Sequence, residues 1–530
     1  MRLRSWTLLI GGLSLLLLVY WQDPLYRLGR NIEIYGRVLQ ELTQNYVDVP
    51  DLDRLTTKAI EAMLTELDPY TNFYSAMDVT QAQLEQSGQY AGVGIVLQLL
   101  EGKVLCRRIL PGSPAEKAGI EPGDLLLEVE KQPVDKLSLE QIQKLLRGMP
   151  KTTVRVKVYH PTTRQTQEFT LTRAEIEAEA VPFSTILPGS IGYIALTQFT
   201  RGCAEAVRQH LIQLKTQAPL KGLILDLRGN PGGLMNEALD ILNFFLPKGE
   251  LLLETRGRMP ETNQKYYAQM HPLEPNLPLV ILIDERSASA SEIVAGTLQD
   301  LDRAVIIGKR SFGKGLVQVV RPLVENTQIK ITVSRYYTPS GRSIQLSSRA
   351  GQGGRLFRTR NGRPIREGSG ISPDIEAESY LPTAEREQIE PYFFYFLAQH
   401  RNSIPRDSAT LTVELPSASV VSALLDSLSR YPSMYKGEAE ALLEELRTKV
   451  AEMPSVQLKL QEVETALRAH RLDQLRRSEE ALRVLIGQLR AYHGLGLRGE
   501  YSFITARDHV VRQAQQILTD PARYEKILRP

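Results

Sequence analysis

Residues 279–292 read Leu279-Val280-Ile281-Leu282-Ile283-Asp284-Glu285-Arg286-Ser287-Ala288-Ser289-Ala290-Ser291-Glu292. The first five residues form a continuous apolar run of strand length, which is typical of a strand buried on both faces of a parallel sheet. A polar turn follows, and the spacing of Ile293, Val294 and Leu298 then predicts a helix. Leu223 to Leu227 repeats the pattern of apolar strand, polar turn and helix. Together the two stretches predict an α/β core.

The chain of 530 residues exceeds what a single hydrophobic core serves, so several packed units are expected. The pattern of apolar residues changes along the chain and predicts a multidomain fold of mixed α/β (α+β) class. The expected regions are an N-terminal membrane anchor or signal (1–27), a helical region (28–86), a β-rich module with one covering helix (87–173), the α/β core (174–380) and a C-terminal helical region (381–530).

Charge and cysteine content exclude several classes of function. The chain has 64 basic and 61 acidic residues, and a net charge of +3 is too small to predict a nucleic-acid partner. Cys106 and Cys203 lie far apart and form no CxxC or mixed Cys/His spacing, so no metal site is predicted. Two buried thiols are expected, with a disulfide left open as the alternative outside the cytosol.

The N-terminus resembles an export signal. Arg2 and Arg4 precede a nearly uncharged run from Ser5 to Trp21, and no small-x-small cleavage site follows it. We therefore expect an uncleaved anchor in the cytoplasmic membrane, with the bulk of the chain on the outer, periplasmic side. The alternative is a buried N-terminal helix of a soluble protein, although such a helix should show polar residues at helical spacing.

Ser289 lies at the predicted start of the helix that follows the 279–283 strand. Backbone N–H groups at a helix start lack internal partners and carry the positive end of the dipole, so they stabilise an oxyanion formed beside such a serine. Serine is equally a preferred N-cap residue. Taken alone, the run is compatible with an ordinary cap as well as with a nucleophile.

A second unusual segment is the loop Gly308 to Gly315, which contains Lys314 between two glycines. Small neighbours allow a lysine to approach another element closely. A phosphate-binding P-loop is excluded because Gly315 and Leu316 follow the lysine where GxxxxGK[ST] requires Ser or Thr. A surface lysine remains the alternative.

A Ser-His-Asp hydrolase finds little support in the sequence. No GxSxG or HExxH motif is present, and His210 and His271 are the histidines nearest the predicted α/β core. A Ser-His hydrolase acting on small esters is kept as an alternative.

These features together resemble the carboxy-terminal processing proteases, the tail-specific peptidases with a Ser/Lys dyad. The resemblance rests on the serine run around Ser289, on Lys314 and Gln318 downstream, and on further blocks in the same order as in the family. Those blocks are Leu67-Asp68-Pro69-Tyr70-Thr71, Asp226-Leu227-Arg228-Gly229-Asn230-Pro231-Gly232-Gly233, Tyr336-Tyr337-Thr338-Pro339-Ser340-Gly341-Arg342-Ser343-Ile344, Gly370-Ile371 and Pro373-Asp374.

The resemblance implies a serine endopeptidase that needs no cofactor, with Ser289 as nucleophile, Lys314 as general base and Gln318 orienting the lysine. A lysine has an unperturbed pKa near 10.4, so accepting a proton at neutral pH requires a pKa lowered by roughly three units, or about 4 kcal/mol. Gln318 is neutral and can hydrogen-bond the amine without holding it protonated, as a carboxylate would.

The resemblance also implies an oxyanion hole made by the backbone N–H of Ala290 with that of Gly232 or Gly233. Asp300 resembles a further family position, for which we expect a role in the fold rather than in the chemistry.

Residues 87–173 resemble a PDZ domain. The segment Tyr90-Ala91-Gly92-Val93-Gly94-Ile95 stands where PDZ domains bind a carboxylate, with a turn that merely opens a strand as the alternative. Gly112-Ser113-Pro114-Ala115 with Gly119-Ile120 and Gly123-Asp124 resembles the following helix-turn segment. In this mode an extended C-terminal tail adds to the sheet edge, with an apolar side chain in a pocket that includes Ile95 and Leu97.

The partners implied are proteins with unstructured, apolar C-termini, with an adaptor protein left open. A catalytically inactive PDZ scaffold at the membrane is the alternative function, although Ser289, Lys314 and Gln318 are all present. The apolar stripes of the helical regions, such as Leu442 and Leu446, predict self-association into a homo-oligomer or packing back on the protease body.

Overall fold

The computed structural model describes residues 24–75, 89–177, 179–345, 354–378, 383–405, 411, 414–428 and 438–529. The described chain divides into two compact units. The first comprises residues 24–75 and 318–332, and the second comprises the remaining described residues. Residues 1–23 of the membrane anchor expected over residues 1–27 lie outside the described residues. Among the helices that the structure does describe, none has the length and apolar content that crossing a membrane requires.

The first unit contains two helices, which the helical region expected over residues 28–86 includes, and a short strand within that range that was not predicted. Its elements are α1 (Pro24–Asn45), α2 (Leu52–Thr65) and β1 (Asn72–Tyr74). Helix α2 is capped at its N-terminus by Asp51, whose side chain accepts from the N–H of Arg54 at 3.0 Å. Strand β1 pairs antiparallel with residues 328–330.

The β-rich module opens the second unit. Its elements are β2 (Gln89–Gly92), β3 (Ile95–Leu100), β4 (Lys103–Ile109), α3 (Pro114–Lys117), β5 (Leu125–Val129), β6 (Gln132–Pro133), α4 (Leu139–Leu146), β7 (Thr153–His160), β8 (Gln165–Thr172) and β9 (Ala174–Glu177). The sheet runs in the order β3-β4-β5-β7-β8, with β6 on β5, while β2 pairs with β9. Helix α4 covers the sheet because Ile142 and Leu146 are buried in the module's core.

The α/β core follows. Its elements are β10 (Phe183–Leu187), β11 (Ile191–Ala195), α5 (Cys203–Gln217), β12 (Gly222–Asp226), α6 (Met235–Asn243), β13 (Leu251–Gly257), β14 (Gln264–Tyr267), β15 (Leu279–Ile283), α7 (Ala290–Asp300), β16 (Val305–Gly308), β17 (Leu316–Pro322), β18 (Gln328–Tyr337), β19 (Leu356–Arg358), β20 (Pro364–Arg366) and β21 (Ile375–Glu376). The main sheet has the order β10-β11-β12-β15-β16-β21. It is parallel from β11 onward, with β10 antiparallel at one edge.

The C-terminal region is helical, as expected. Its helices are α8 (Thr383–Gln399), α9 (Ala418–Leu428), α10 (Glu438–Lys449), α11 (Pro454–Arg477), α12 (Glu479–Arg507), α13 (His509–Thr519) and α14 (Pro521–Leu528). Apolar residues of α8, α9 and α12 form one core with Leu100, Leu105 and Leu125 of the module's sheet. Much of this region therefore packs back on the body, while Leu442 and Leu446 of α10 are exposed. Self-association stays a prediction.

Alternate residues of the main sheet face two different cores. Leu223, Leu225 and their neighbours pack against α5, α6 and α7. On the other face, Ile224 packs in a core with α13 and α14. Burial on both faces explains why the strands read as continuous apolar runs rather than as alternating ones. The mixed α/β fold class predicted from the sequence is confirmed.

Candidate active site

Ser289 occupies the turn between β15 and α7 with a strained backbone, at φ 56° and ψ −110°. A non-glycine residue at positive φ is uncommon, and such strain is frequently found at functional sites. The neighbouring serines are fully buried and committed to the backbone: Ser287 Oγ donates to Leu227 O at 2.8 Å and Ser291 Oγ donates to Asn230 O at 2.9 Å. Ser289 is half-buried, so it is the serine of this run that a substrate can reach.

The buried carboxylate of Glu292 joins the turn of Ser289 to the loop of Lys314. Glu292 Oε2 accepts from the backbone N–H of Ser289 at 2.8 Å and of Lys314 at 2.9 Å. Its Oε1 accepts from Gly313 N at 2.7 Å and from Ser311 Oγ at 2.5 Å. Burial raises the pKa of the Glu292 carboxyl, and these donors act in the opposite direction. One side chain thus fixes both segments of the predicted dyad.

Tyr336 joins the same two segments through their carbonyl groups. Its hydroxyl donates to the carbonyl oxygen of Lys314 and lies 3.3 Å from that of Ser289. The Tyr336 side chain is buried, and its backbone N–H donates to Gly315 O at 3.1 Å. The N–H groups of Ser289 and Lys314 are therefore both bound by one carboxylate, and the hydroxyl that binds the Lys314 carbonyl also lies beside the carbonyl of Ser289.

The loop that carries Lys314 is confined by its neighbours, and Lys314 itself is half-buried. Phe312 N donates to Ser287 O at 3.0 Å. Gly313 has φ 96°, and a side chain there would place its Cβ 2.9 Å from the backbone nitrogen of Gly370. A glycine is needed because this approach leaves no room for a Cβ. The glycine beside Lys314 thus permits the close packing expected from the sequence.

Gly232 packs directly on the turn of Ser289. A Cβ at Gly232 would lie 2.5 Å from Ala288 O and 2.9 Å from Ala290 N. The Gly232 N–H donates to Asn230 Oδ1 at 2.8 Å, whereas the N–H groups of Gly233 and Ala290 make no hydrogen bond to another residue that the structure describes. Gly232 is buried and Gly233 is exposed. The geometry favours Gly233 over Gly232 as the partner of Ala290.

Residues 229–233 form a loop, called here the glycine loop, which hydrogen bonds tie to the turn of Ser289. Asn230 O accepts from Ala288 N at 3.0 Å, and Asn230 Nδ2 donates to Leu196 O at 2.8 Å. One residue earlier, Gly229 N donates to Asp284 Oδ1 at 2.8 Å. The relative position of the loop and of Ser289 therefore depends on a short series of hydrogen bonds.

Gln318 belongs to the first compact unit. Its Nε2 donates to Thr332 Oγ1 at 3.3 Å, and that oxygen lies 3.4 Å from Thr71 Oγ1. The Thr71 hydroxyl donates to Asp68 at 2.9 Å, so Asp68 and Thr71 of the first family block belong to this hydrogen-bond network. The role of Gln318 toward Lys314 stays a prediction.

Asp300 is fully buried at the end of α7. It forms an ion pair with Arg342 at 2.8 Å and accepts from Ser340 N at 3.0 Å. Its partners are thus in a following segment of the core, which suits the fold-supporting role predicted for it.

The predicted carboxylate loop lies between β2 and β3. Val93 O accepts from Ala115 N and Gly94 O from Leu110 N, each at 2.9 Å, so these carbonyls are held by the rest of the module. Ile95 and Leu97 are buried in the module's core. Strand β3 ends the described sheet and pairs on one side with β4. Its other edge is the place where an added strand would bind.

Comparison with known proteins gives a family for this arrangement. Over 351 residues the chain is 33% identical to the carboxy-terminal-processing protease of Bartonella bacilliformis, covering 66% of this chain and 75% of that protein. The chain belongs to peptidase family S41. The family's model matches residues 190–350, and a PDZ domain model matches residues 107–159.

Other relatives of this S41 peptidase carry similar names. The carboxyl-terminal-processing protease of Synechocystis sp. is 36% identical, over 57% of this chain and 72% of that protein. Among solved structures, the photosystem II D1 C-terminal processing protease is 29% identical with a TM-score of 0.40, covering 64% of this chain and 86% of that one. The matches in sequence to the family model and to these relatives show a serine-type peptidase of the carboxy-terminal-processing group with a PDZ domain.

Two residues of the S41 site were not singled out by sequence reasoning. Glu292 follows Ser289 by three positions, the spacing of a helix capping box, and that spacing is the signal from which its hydrogen bond with Ser289 N could have been predicted. The pattern contained no sign that the same carboxylate also binds the loop of Lys314. Tyr336 lies in a recognised block, but its contacts to two distant carbonyls follow only from tertiary packing.

Replacing Glu292 with Gln in the S41 peptidase is expected to weaken both folding and catalysis. The amide nitrogen would face two of the groups that now donate hydrogen bonds to the carboxylate. Each buried donor left without an acceptor costs about 1–3 kcal/mol of stability. We expect the free energy of unfolding, measured in urea, to fall by about 2–5 kcal/mol. The value of kcat/KM should fall about 100-fold at a temperature where the variant is folded, because misplacement of a reacting group by about 1 Å has this effect.

The matched control is Glu237→Gln. Glu237 also accepts from two backbone N–H groups, those of Gly202 at 2.7 Å and Ala204 at 2.9 Å, at the start of α5. This variant should lose some stability and keep its kcat. A Glu292→Gln enzyme as active as the control would show that the carboxylate does not position the site.

Proposed function

We propose that this S41 peptidase is an endopeptidase that captures proteins by their C-termini through its PDZ domain and cleaves them with a Ser289/Lys314 dyad. The observation that carries the proposal is the Glu292 bridge, because one carboxylate holds the backbone of a strained serine and of a glycine-flanked lysine together. Neither a surface lysine nor an ordinary helix cap requires such a link.

In the proposed reaction, Ser289 Oγ attacks the scissile carbonyl while its proton passes to the neutral amine of Lys314. The carbonyl oxygen becomes an oxyanion, which the N–H groups of Ala290 and Gly233 stabilise. When the tetrahedral intermediate collapses, the C–N bond breaks and Lys314 returns its proton to the leaving amine. Water, deprotonated by Lys314, then hydrolyses the acyl-enzyme and releases the acyl product with Ser289 regenerated.

Gln318 is proposed to orient the Lys314 amine. An uncharged amide can accept or donate one hydrogen bond without stabilising the ammonium form, which keeps the lysine able to act as a base. The hydroxyl of Thr332, at 3.3 Å from Gln318 Nε2, would hold the amide in place.

Substrate capture is assigned to the edge of β3 and to the loop Gly92-Val93-Gly94-Ile95. A terminal carboxylate would accept hydrogen bonds from backbone N–H groups of this loop, and the tail would pair with β3. Gly94 has φ 82° and its added Cβ would lie 2.2 Å from Ser113 Cβ, so the loop shape depends on glycine. Side chains at Ile95 and Leu97 would shape the apolar pocket.

We also propose that an N-terminal segment anchors the enzyme to the cytoplasmic membrane with the catalytic parts on the periplasmic side, and that the enzyme forms a homo-oligomer. The charged and apolar pattern of residues 2–21 supports the first proposal, and the exposed apolar residues of α1 and α10 support the second. An adaptor that delivers substrates is compatible with the PDZ domain.

The test uses an unstructured polypeptide with an apolar C-terminus, prepared with a free carboxylate and as its amide. Amidation removes the charge that the loop would bind, and hydrogen bonds to a charged group contribute about 1.5–3 kcal/mol. We expect KM to rise by roughly 10- to 100-fold with kcat little changed. A short internal peptide that lacks the tail serves as the control and should be cleaved equally with either terminus. Equal KM for the two long substrates would contradict capture by the C-terminus.

A further inference from the structure

Arg228 immediately precedes the glycine loop and lies between two carboxylates. Its Nη2 donates to Asp226 Oδ2 at 2.6 Å, and its Nη1 donates to Asp508 Oδ2, also at 2.6 Å. Asp226 is further held by Tyr193, whose hydroxyl donates to Asp226 Oδ2 at 2.7 Å. All of these side chains are largely buried. The guanidinium is thus fixed by one partner at the end of the preceding strand, β12, and by one from the C-terminal helical region.

The position of Arg228 matters because the loop that follows it reaches the reacting centre within five residues. Asn230 O binds Ala288 N, and Gly232 packs against the turn of Ser289. Gly233, whose N–H is assigned above to the oxyanion, belongs to this same loop. A shift at Arg228 therefore moves an oxyanion donor relative to Ser289.

Asp508 is itself held firmly. It lies at the junction of α12 and α13, and its Oδ1 accepts from Val510 N at 2.8 Å as the cap of α13. Val510 and Val511 anchor α13 on the main sheet. On α12, Glu500 accepts from Gln488 Nε2 at 2.8 Å and lies 3.4 Å from Arg108 of β4. The carboxylate is therefore preorganised before Arg228 binds to it.

We propose that Asp508 is a positioning residue of the peptidase, which acts through Arg228 to hold the glycine loop in the geometry that stabilises the oxyanion. The inference rests on the proposed function and extends it to the C-terminal helical region. Asp508 touches no reacting atom. Its contribution is to kcat, because the geometry of the loop matters most when negative charge develops on the substrate oxygen.

The test separates the two contacts of Asp508. In Asp508→Asn the amide oxygen can still cap α13 through Val510 N, while the charge that binds Arg228 is lost. We expect kcat to fall about tenfold and KM to stay within about twofold, a loss smaller than the roughly 100-fold of a directly displaced catalytic group. The matched control is Asp520→Asn, since exposed Asp520 caps α14 by accepting from Arg523 N at 3.0 Å. The control should keep the kcat of the parent.

Asp508→Glu gives the opposite test, because it keeps the charge and weakens the cap. The proposal expects its kcat to exceed that of Asp508→Asn, even where its melting temperature is lower. In an Arg228→Gln background, Asp508→Asn should cause no further loss of kcat, since the two residues act through one contact.

Three results would overturn the inference: a kcat of Asp508→Asn equal to that of Asp520→Asn, a Glu variant less active than the Asn variant, or full additivity with Arg228→Gln. If Asp508→Asn unfolds at the assay temperature, the comparison of Asp508→Glu with the parent decides, and a tenfold loss of kcat in the folded Glu variant refutes the role. A Ser289→Ala enzyme assayed in parallel keeps the outcomes distinct. If that enzyme is active, the proposed function itself fails, whatever Asp508 does.

Discussion

A Ser289→Ala variant is expected to lose peptide hydrolysis by at least about 10⁴-fold, because removal of a catalytic nucleophile abolishes the covalent route. Ser289 is the half-buried serine at a strained turn, and the N–H of Ala290, the next residue, is bound by no other residue that the structure describes. The measurement is kcat/KM on an unstructured tailed substrate. The melting temperature should change little, since a small side chain is removed from a partly exposed position.

Ser291→Ala is the matched control for this prediction. Its hydroxyl donates to Asn230 O at 2.9 Å in the buried side of the same turn. Loss of that bond should cost about 1 kcal/mol of stability and less than about tenfold in activity. If the Ser289→Ala enzyme retains the activity of the parent, a different nucleophile acts. If the parent itself does not hydrolyse the substrate, the scaffold alternative is supported.

Replacing Lys314 with Met is expected to reduce kcat/KM by about 10⁴-fold, because the serine loses its proton acceptor. Methionine keeps most of the apolar stem, so the loop should retain its packing. Lys314→Arg should be equally inactive, since a guanidinium with a pKa above about 12 does not give up its proton. In the parent, measured alongside, kcat/KM should rise with pH as one basic group, the amine of Lys314, loses its proton.

Lys309→Met provides the control within the same loop. Lys309 pairs with Glu378 at 3.1 Å and is partly exposed, so its loss should leave kcat/KM within about twofold. The Ser-His alternative makes the opposite prediction, with Lys314→Met active and His210→Ala inactive. The structure places His210 Nδ1 2.7 Å from Ser184 Oγ, so a test of this alternative includes Ser184→Ala.

The sites of these variants differ in how far the sequence predicted them. Ser289 and Lys314 each lie in a short local pattern, a polar turn after an apolar strand and a glycine-flanked loop, and the resemblance to a family predicts the dyad from those patterns. Such local patterns can be identified in a single sequence because the backbone geometry of a short segment depends on the residue types within it. The fold class was predictable for the same reason, since apolar periodicity reports how many faces of a strand are buried.

The partners of these elements were not predictable. The runs Leu223 to Leu227 and Leu279 to Ile283 require burial on both faces, but they do not say that α13 and α14 cover the second face. Nor does any pattern around Arg228 indicate Asp508, which lies 280 positions away. Hydrogen bonds between residues so far apart produce no periodic pattern in the sequence, because each needs only one suitable residue at each end.

By itself, the sequence determined the alternation of strands and helices, the presence of a serine and a lysine in unusual local settings, and the class of chemistry they support. Only the tertiary structure decided that Glu292 and Tyr336 join those settings, that Gly232 but not Gly233 spends its N–H on a described residue, and that Asp508 of the C-terminal helical region binds Arg228 just before the glycine loop. The physical reason is that local conformation depends on neighbouring residues, whereas hydrogen bonds and ion pairs of a site depend on which distant segments the folded core brings together.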